Sequence, residues 1–416
     1  MLRIAGLASP SQEQIWVAEM FHESGSEYHL FRSFSIRGLE DDQILMQALK
    51  QTVAATEILR TRLVLRDNKL QQVVEDDADV VIKHARYRQS DEAFRAPFTL
   101  DYGPLWRFVI EQRVGELIFT FVAHHCILDD RSAALVMGLF GRNCERLRHG
   151  MAPESPTTEV SYAAYSESMR KEQADRVGSV TDFWEEFASG FWPAEEPEPI
   201  PEFLAHPATF NAEPSGQSVT TLAAERLSQV ARDWRTTPTI LLLVAFIESI
   251  GVITGNPHVI TCVTTDGRPR REHRGVIGPC FSVLPIAMMA EVGSETFARK
   301  VHGSLAAAIS HDPGSFGEVT QIARRATGIA NLARPGFIFN QQSVAGQNLS
   351  IDGLEVTALP PGPRECSFLL SASVWADRDE VRIRFETSWR STQALNLLAV
   401  QELYANVVTN MLSNTH

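Results

Sequence analysis

Residues 119 to 132 read FTFVAHHCILDDRS: an apolar run ends in two adjacent histidines, and two adjacent aspartates begin four residues after the second. The longer segment ELIFTFVAHH has the continuous apolar character of a buried strand. After the aspartates, RSAALVMGLFGRNCERLRHG places Val136, Phe140, Cys144 and Leu147 at helical spacing. The stretch therefore predicts a strand, a polar loop and an amphipathic helix, with its chemistry gathered in a loop between rigid elements. Neighbouring strand side chains point to opposite faces, so at most one of His124 and His125 can enter a given cleft, and packing or hydrogen bonds must hold the other. Zinc is a poor fit, since helical ligands come at i and i+4 and no third ligand cluster is in view. Two readings stay open: a pair of satisfied polar residues at a strand end, or an imidazole base with a carboxylate anchoring its loop.

Working outward, the first part of the chain alternates strand and helix patterns. YHLFRSFSIRG (28 to 38), QQVVED and DVVIKHARY are strand-like, and DDQILMQALKQTVAAT (41 to 56) puts Ile44, Leu45, Ala48, Leu49 and Val53 on one helical stripe. Residues 187 to 217 are rich in Pro, Glu and small residues, which suits neither a helix nor a central strand. They are read as the connection between a first half, 1 to 186, and a second, 218 to 416. The second half resumes with helices AAERLSQVARDW and TPTILLLVAFIESIGVITG. Strands HVITCVTT and VLPIAMM, helix ETFARKVHGSLAAAIS, strands PGFIFNQ, FLLSASVWA and EVRIRFETSW, and a last helix from about Gln393 to Leu412 follow. The expected class is α/β, in two halves sharing one chain of 416 residues, since a single core rarely grows to that length.

A formal net charge of -13 argues against a nucleic-acid backbone as partner, because neutralising phosphates takes clustered Lys and Arg. The five cysteines (Cys126, Cys144, Cys262, Cys280 and Cys366) form no CxxC pair and suit reduced thiols in a cytoplasmic protein, with no metal site. The N-terminus shows no signal-peptide pattern. The longest apolar run, ILLLVAFI (240 to 247), is far shorter than the ~20 residues of a membrane span. No membrane partner is expected.

HHCILDDRS resembles the HHxxxDG motif of the condensation domains of nonribosomal peptide synthetases, within the chloramphenicol-acetyltransferase-like acyltransferases. Further segments are similar to the family's in the same order. SPSQEQIWVAEM (9 to 20) resembles S-x-x-Q-x-x-[LW]; EILRTRL (57 to 63) resembles HExLRTxF, with Thr56 at the His; APFTLDYGPLWRFVI (96 to 110) resembles PFDLxxGPLxR; SYAAYSE (161 to 167) is a looser likeness. DGRPRREHRGVIGPCFSVLPI (266 to 286) resembles GRxxxE followed by IGxFxNTLP, and FIFNQQ (337 to 342) resembles VxFNYQ. The likeness runs from about residue 9 to 412.

The resemblance implies two acetyltransferase-like halves in a V, with a substrate tunnel between them. It implies that His125 is catalytic, that His124 supports it, and that Asp129 is structural, forming an ion pair with Arg268 that tethers the halves and holds the histidine loop. Asp130 stands where the family has Gly, which implies either a left-handed conformation there or an altered loop. A silent recruitment domain of glycopeptide assembly lines also carries DD, but lacks the second histidine that is kept here as His125. Ser282 and Val283 replace the family's Asn-Thr, so Ser282, with Asp130, Ser132 and Asn340, is expected along the tunnel or its loop. HDPGSFGE (311 to 318) only partly matches HQDxPFE.

The implied activity is amide or ester formation by a free-standing, monomeric enzyme. The donor would be an acyl or aminoacyl group on the phosphopantetheine arm of a carrier protein acting in trans, the acceptor a small amine or alcohol, and no cofactor would be bound. A CoA-dependent O- or N-acyltransferase and a non-catalytic docking protein are the alternatives.

Overall fold

The computed structural model describes residues 2–20, 28–39, 43–76, 80–85, 94–155, 160–192, 205–206, 217–330, 335–342, 349–359, 368–376, 380–387 and 394–413. Most of the Pro/Glu-rich stretch at 187–217 lies outside them, as does Cys366.

Sixteen strands and ten α-helices are assigned among the described residues. The strands are β1 (Leu2–Leu7), β2 (His29–Arg37), β3 (Thr61–Arg66), β4 (Lys69–Glu75), β5 (Ile82–Ala85), β6 (Trp106–Arg113), β7 (Glu116–His124) and β8 (Ala205–His206). They continue with β9 (Gln217–Ala223), β10 (His258–Thr265), β11 (Ser282–Met289), β12 (Phe337–Gln341), β13 (Glu355–Leu359), β14 (Leu370–Ala376), β15 (Glu380–Glu386) and β16 (Ala394–Leu395). The helices are α1 (Pro10–Glu19), α2 (Gln43–Ala55), α3 (Asp130–Arg148), α4 (Tyr162–Asp175) and α5 (Val177–Phe191). Then come α6 (Ala224–Asp233), α7 (Pro238–Thr254), α8 (Glu295–Ser310), α9 (Phe316–Thr327) and α10 (Leu397–Ser413). The α/β class expected from the alternating pattern is the class observed.

The chain forms two compact units, but their limits differ from the contiguous halves read from the sequence. One unit comprises Met1–Ala174, Asp266–Phe281 and Ala345–Arg364; the other takes Asp175–Thr265, Ser282–Val344 and Glu365–His416. The first boundary falls ahead of α5 because Val180, Trp184 and Ala188 of that helix are buried in the second unit's core. Segment 266–281 returns to the first unit because Val276, Ile277 and Cys280 sit in that unit's apolar core.

In the first unit, a five-stranded sheet runs in the order β13-β2-β7-β6-β5, beside a three-stranded sheet β1-β4-β3. The central pair β2 and β7 is antiparallel, with His29 opposite His124 and Phe34 opposite Phe119. One face of this sheet, through Leu30, Phe34, Ile36, Phe119, Phe121 and Ala123, joins the core with Leu45 and Leu49 of α2 and Val136 and Phe140 of α3. Burying such side chains contributes about 1.5–3 kcal/mol each, and this apolar layer is what makes the β7–α3 connection rigid.

The second unit has a six-stranded sheet, β11-β10-β12-β14-β15-β9. Its core surrounds α7, whose Leu241 to Ile247 are all fully buried, as the all-round apolar run predicts. Thr237 caps α7 and Gly255 closes it in the left-handed region, a conformation that suits glycine. Among the described residues no single helix is long and apolar enough to cross a membrane.

Candidate active site

β7 ends at His124 and α3 begins at Asp130, so the motif occupies one tight connection in the first unit. The two histidines separate as strand alternation requires. His124 is fully buried among the rings of Tyr28, His29 and Phe98, at centroid distances of 6.2, 6.1 and 6.1 Å. His125 is half-buried, its ring edge-on to Phe281 at 5.7 Å, and its backbone N–H donates to the Tyr28 carbonyl at 2.8 Å. The chain then turns, with Ile127 N–H donating to the His124 carbonyl at 3.1 Å and Gln12 Nε2 donating to the Cys126 carbonyl at 3.0 Å. Gln12 is held by a capping box with Ser9 at the start of α1, which gives the S-x-x-Q segment a physical purpose.

His29, opposite His124 on β2, is a third histidine that the sequence reading did not single out. Its Nδ1 donates to the Phe94 carbonyl at 3.1 Å. Burial, together with His124 and the Arg107 guanidinium, lowers its pKa to about 3, so it stays neutral. Period-2 alternation along HLFRSFSIR marks His29 as facing the same side as Phe31, but nothing in one sequence pairs it with His124.

Asp129 caps α3 from extended backbone, its Oδ1 accepting the Ser132 N–H at 2.7 Å. Arg268 grips the same carboxylate in two-pronged fashion, Nη1 to Oδ2 at 2.9 Å and Nη2 to Oδ1 at 3.1 Å. Its Nη1 also donates to Asp266 Oδ1 at 2.6 Å, and its Nη2 donates to Ser132 Oγ at 2.8 Å and the Val276 carbonyl at 3.0 Å. Burial alone would lower the pKa of Arg268, but the carboxylates of Asp129 and Asp266 more than offset it and raise it. Ser132 completes the junction: its Oγ donates to the Gly278 carbonyl at 2.7 Å and accepts the Gly278 N–H at 2.9 Å. The Cys280 N–H donates to Asp129 Oδ2 at 3.0 Å.

The Asp129–Arg268 pair forms and joins residues of the two sequence halves, and because both belong to the first compact unit it closes a loop on that unit. Two tyrosines of α4 reinforce the loop. The Tyr162 hydroxyl donates to the Pro279 carbonyl at 3.0 Å and hydrogen-bonds the Ser9 hydroxyl at 2.7 Å, and Tyr165 donates to the Gly267 carbonyl at 2.5 Å. Gly267 has φ of +63° and its carbon lies so close to the Cys280 carbonyl that a Cβ would stand 1.6 Å from the oxygen, so only glycine fits.

Asp130 departs from the expectation of a left-handed backbone. It is the first residue of α3, and the positive-φ residues other than glycine among those described are Asp67, Asn68 and Arg235. A helix N-terminus favours a carboxylate, and Asp130 forms an ion pair with Arg32 of β2, which explains why Asp is accommodated where the family has Gly.

Ser282 and Asn340 belong to the second unit. Ser282 opens β11, is buried, and hydrogen-bonds the Asp312 carboxyl of the HDPGSFGE segment, whose pKa burial raises. Asn340 is half-buried on β12 and donates to Ser371 Oγ at 3.1 Å. Among the described residues no three His, Cys, Asp or Glu side chains converge as metal ligands would. Cys126 and Cys280 are buried thiols with raised pKa values, pushed up first by desolvation.

A family model for the condensation domain matches residues 6–416. The chain belongs to the condensation-domain family. Among curated relatives, bacitracin synthase 3 of Bacillus licheniformis is 26% identical over 298 residues, covering 70% of this chain and 4% of that protein. Tyrocidine synthase 3 of Brevibacillus parabrevis is 22% identical over 388 residues, covering 90% and 6%. The chain therefore spans only a small part of the length of these relatives. Among solved structures, the X-domain from teicoplanin biosynthesis superposes with a TM-score of 0.78 at 17% identity, covering 99% of this chain and 95% of that one. The starter condensation domain of rhizomide synthetase, in complex with C8-CoA, gives 0.79 at 17% identity, covering 98% and 95%. The fold is that of condensation domains, which at the level of the family form amide bonds in nonribosomal peptide synthesis.

Proposed function

We propose that this condensation domain joins an acyl or aminoacyl group, delivered as a thioester on the phosphopantetheine arm of a carrier protein, to an amine or hydroxyl acceptor. The observation that carries the reading is the division of labour in the histidine pair. His124 is consumed by the interior, while the ring of His125 is half-buried on a turn fixed from both sides. In the reaction the acceptor nitrogen or oxygen attacks the thioester carbonyl carbon, the new C–N or C–O bond forms, the C–S bond breaks, and the acceptor's proton ends on the departing thiol. His125 takes or orients that proton, and a site shielded from water strengthens each of these contacts. Asp129, Arg268 and Ser132 hold the turn, and Asp130 with Arg32 anchors its exit. Ser282, by contrast, is engaged by Asp312.

His125→Ala tests the reading. With an octanoyl group loaded on a holo carrier protein and a panel of amines and alcohols, turnover of the variant is expected to fall by about 10²–10⁴-fold. A variant as fast as the parent would overturn the catalytic assignment of His125, and a parent that forms no product would favour the docking protein. Octanoyl-CoA offered alongside separates the donor classes, since efficient transfer from CoA alone would refute the carrier-protein donor.

A further inference from the structure

α1 sends a second side chain to the histidine turn besides Gln12. Glu19, the last residue of the helix, places Oε2 3.6 Å from Nε2 of His124. Both atoms are buried, and neither has a hydrogen-bond partner among the described residues. A buried polar atom left without a partner costs about 1–3 kcal/mol, so two such atoms facing each other are best understood as a pair.

The other side of the His124 ring says which atom carries the proton. Nδ1 accepts the Cys126 N–H at 3.1 Å. A ring nitrogen that accepts a backbone N–H is unprotonated, so in the neutral ring the proton sits on Nε2, the atom 3.6 Å from Glu19 Oε2. The opposite tautomer would set an N–H against the Cys126 N–H inside a fully buried site. The other ionisable groups around the ring do not supply this preference. His29, from β2, is held neutral; Arg107, from β6, is a cation acting on His29; and the Cys126 thiol is pushed up by burial and by Glu19 itself. His125 is the next residue along the same turn.

We propose that Glu19 is a positioning residue: its carboxylate fixes the Nε2-protonated tautomer of His124, which frees Nδ1 to receive the Cys126 N–H and sets the turn that presents His125. The first part rests on geometry alone; its consequence for turnover rests on the proposed role of His125. Carboxylates that fix imidazole tautomers in this way are a recurring device behind reactive groups. No signal in SPSQEQIWVAEM marks Glu19, because the contact spans more than a hundred residues of chain.

The test uses the full chain with ¹⁵N-histidine labelling and long-range ¹H–¹⁵N spectra, the His124 signals being assigned by their loss in His124→Asn. In the parent, Nε2 of His124 is expected as the proton-bearing nitrogen. Glu19→Gln keeps the shape of the side chain but can turn either its oxygen or its NH2 toward the ring, so both tautomers are expected, with kcat down about tenfold and KM unchanged. Glu19→Leu is expected to lower the Nε2-protonated share to what the Cys126 N–H alone supports, so that the second tautomer becomes detectable. Both variants retaining a single Nε2-protonated His124 would overturn the proposal, and Glu19→Gln alone decides it if Glu19→Leu does not fold. A changed tautomer with unchanged turnover would uphold the Glu19 assignment and count against His125 as the reacting group.

Discussion

Arg268→Met removes a guanidinium whose side chain is wholly buried and leaves the Asp129 carboxylate, with a side chain 6% exposed, without its cation. The carboxylate keeps two backbone donors, Ser132 N–H and Cys280 N–H. The Val276 carbonyl, which receives both Nε and Nη2 of Arg268, loses them in a residue that is fully buried. Stranding one member of a buried ion pair costs about 3–5 kcal/mol, and the orphaned carbonyl belongs to the same loss, so about 4 kcal/mol is expected in all. Asp129→Asn should cost less, about 2 kcal/mol, because Arg268 retains Asp266 Oδ1 at 2.6 Å and an asparagine oxygen can still cap Ser132. Urea unfolding at neutral pH, followed by circular dichroism, measures both. In the double variant the two losses should not add, leaving a coupling of about 2 kcal/mol. Turnover in the octanoyl-carrier assay should fall with stability restored by low temperature, since the turn bearing His125 is then unpinned. The reasoning is refuted if Arg268→Met unfolds within about 1 kcal/mol of the parent, or if the two substitutions are additive.

Gly278→Ala should cost about 3 kcal/mol in thermal or urea unfolding, because the new Cβ would stand 2.0 Å from the ring of Tyr162, itself buried and tied at its hydroxyl; a change under about 0.5 kcal/mol would contradict this packing. His29 predicts a pH dependence whose sign follows from its pKa, about 3 when folded against 6.5 when not. The unfolded chain takes up that proton first, so the stabilisation is complete above pH 6.5 and drains away as pH falls toward 3. Between pH 7 and 5 the parent should lose about 2 kcal/mol more than His29→Gln, and parallel losses in the two proteins would refute the assignment.

What could be read from the sequence divides by the range of the interaction involved. The strand ending at His124 and the helix opening at Asp130 were legible because an apolar run, an acidic cap position and a 3.6-residue stripe are all local patterns. Strand alternation alone separated the two histidines, and the buried His124 and half-buried His125 agree with it. Helices α4 and α5 were passed over: the buried positions of α4, such as Tyr162 and Tyr165, are sparse in a polar sequence, and α5 runs straight into the Pro/Glu-rich stretch read as a connection. The pairing of Asp129 with Arg268 came from family likeness, and its place inside one compact unit was not legible because chain order is a poor guide to which unit a loop joins. Segment 266–281 leaves the strand β10, closes on Asp129, Ser132, Tyr162 and Tyr165, and returns as β11. Every one of those contacts links residues about a hundred or more apart, a separation over which loop-closure entropy rises only slowly, so the sequence carries no local penalty that would mark the excursion. Asp130 carries the same lesson at one residue. Its replacement of a family glycine implied a left-handed conformation or an altered loop, yet as the first residue of a helix it needs no unusual backbone, and its carboxylate is paired with Arg32 on a strand nearly a hundred residues earlier.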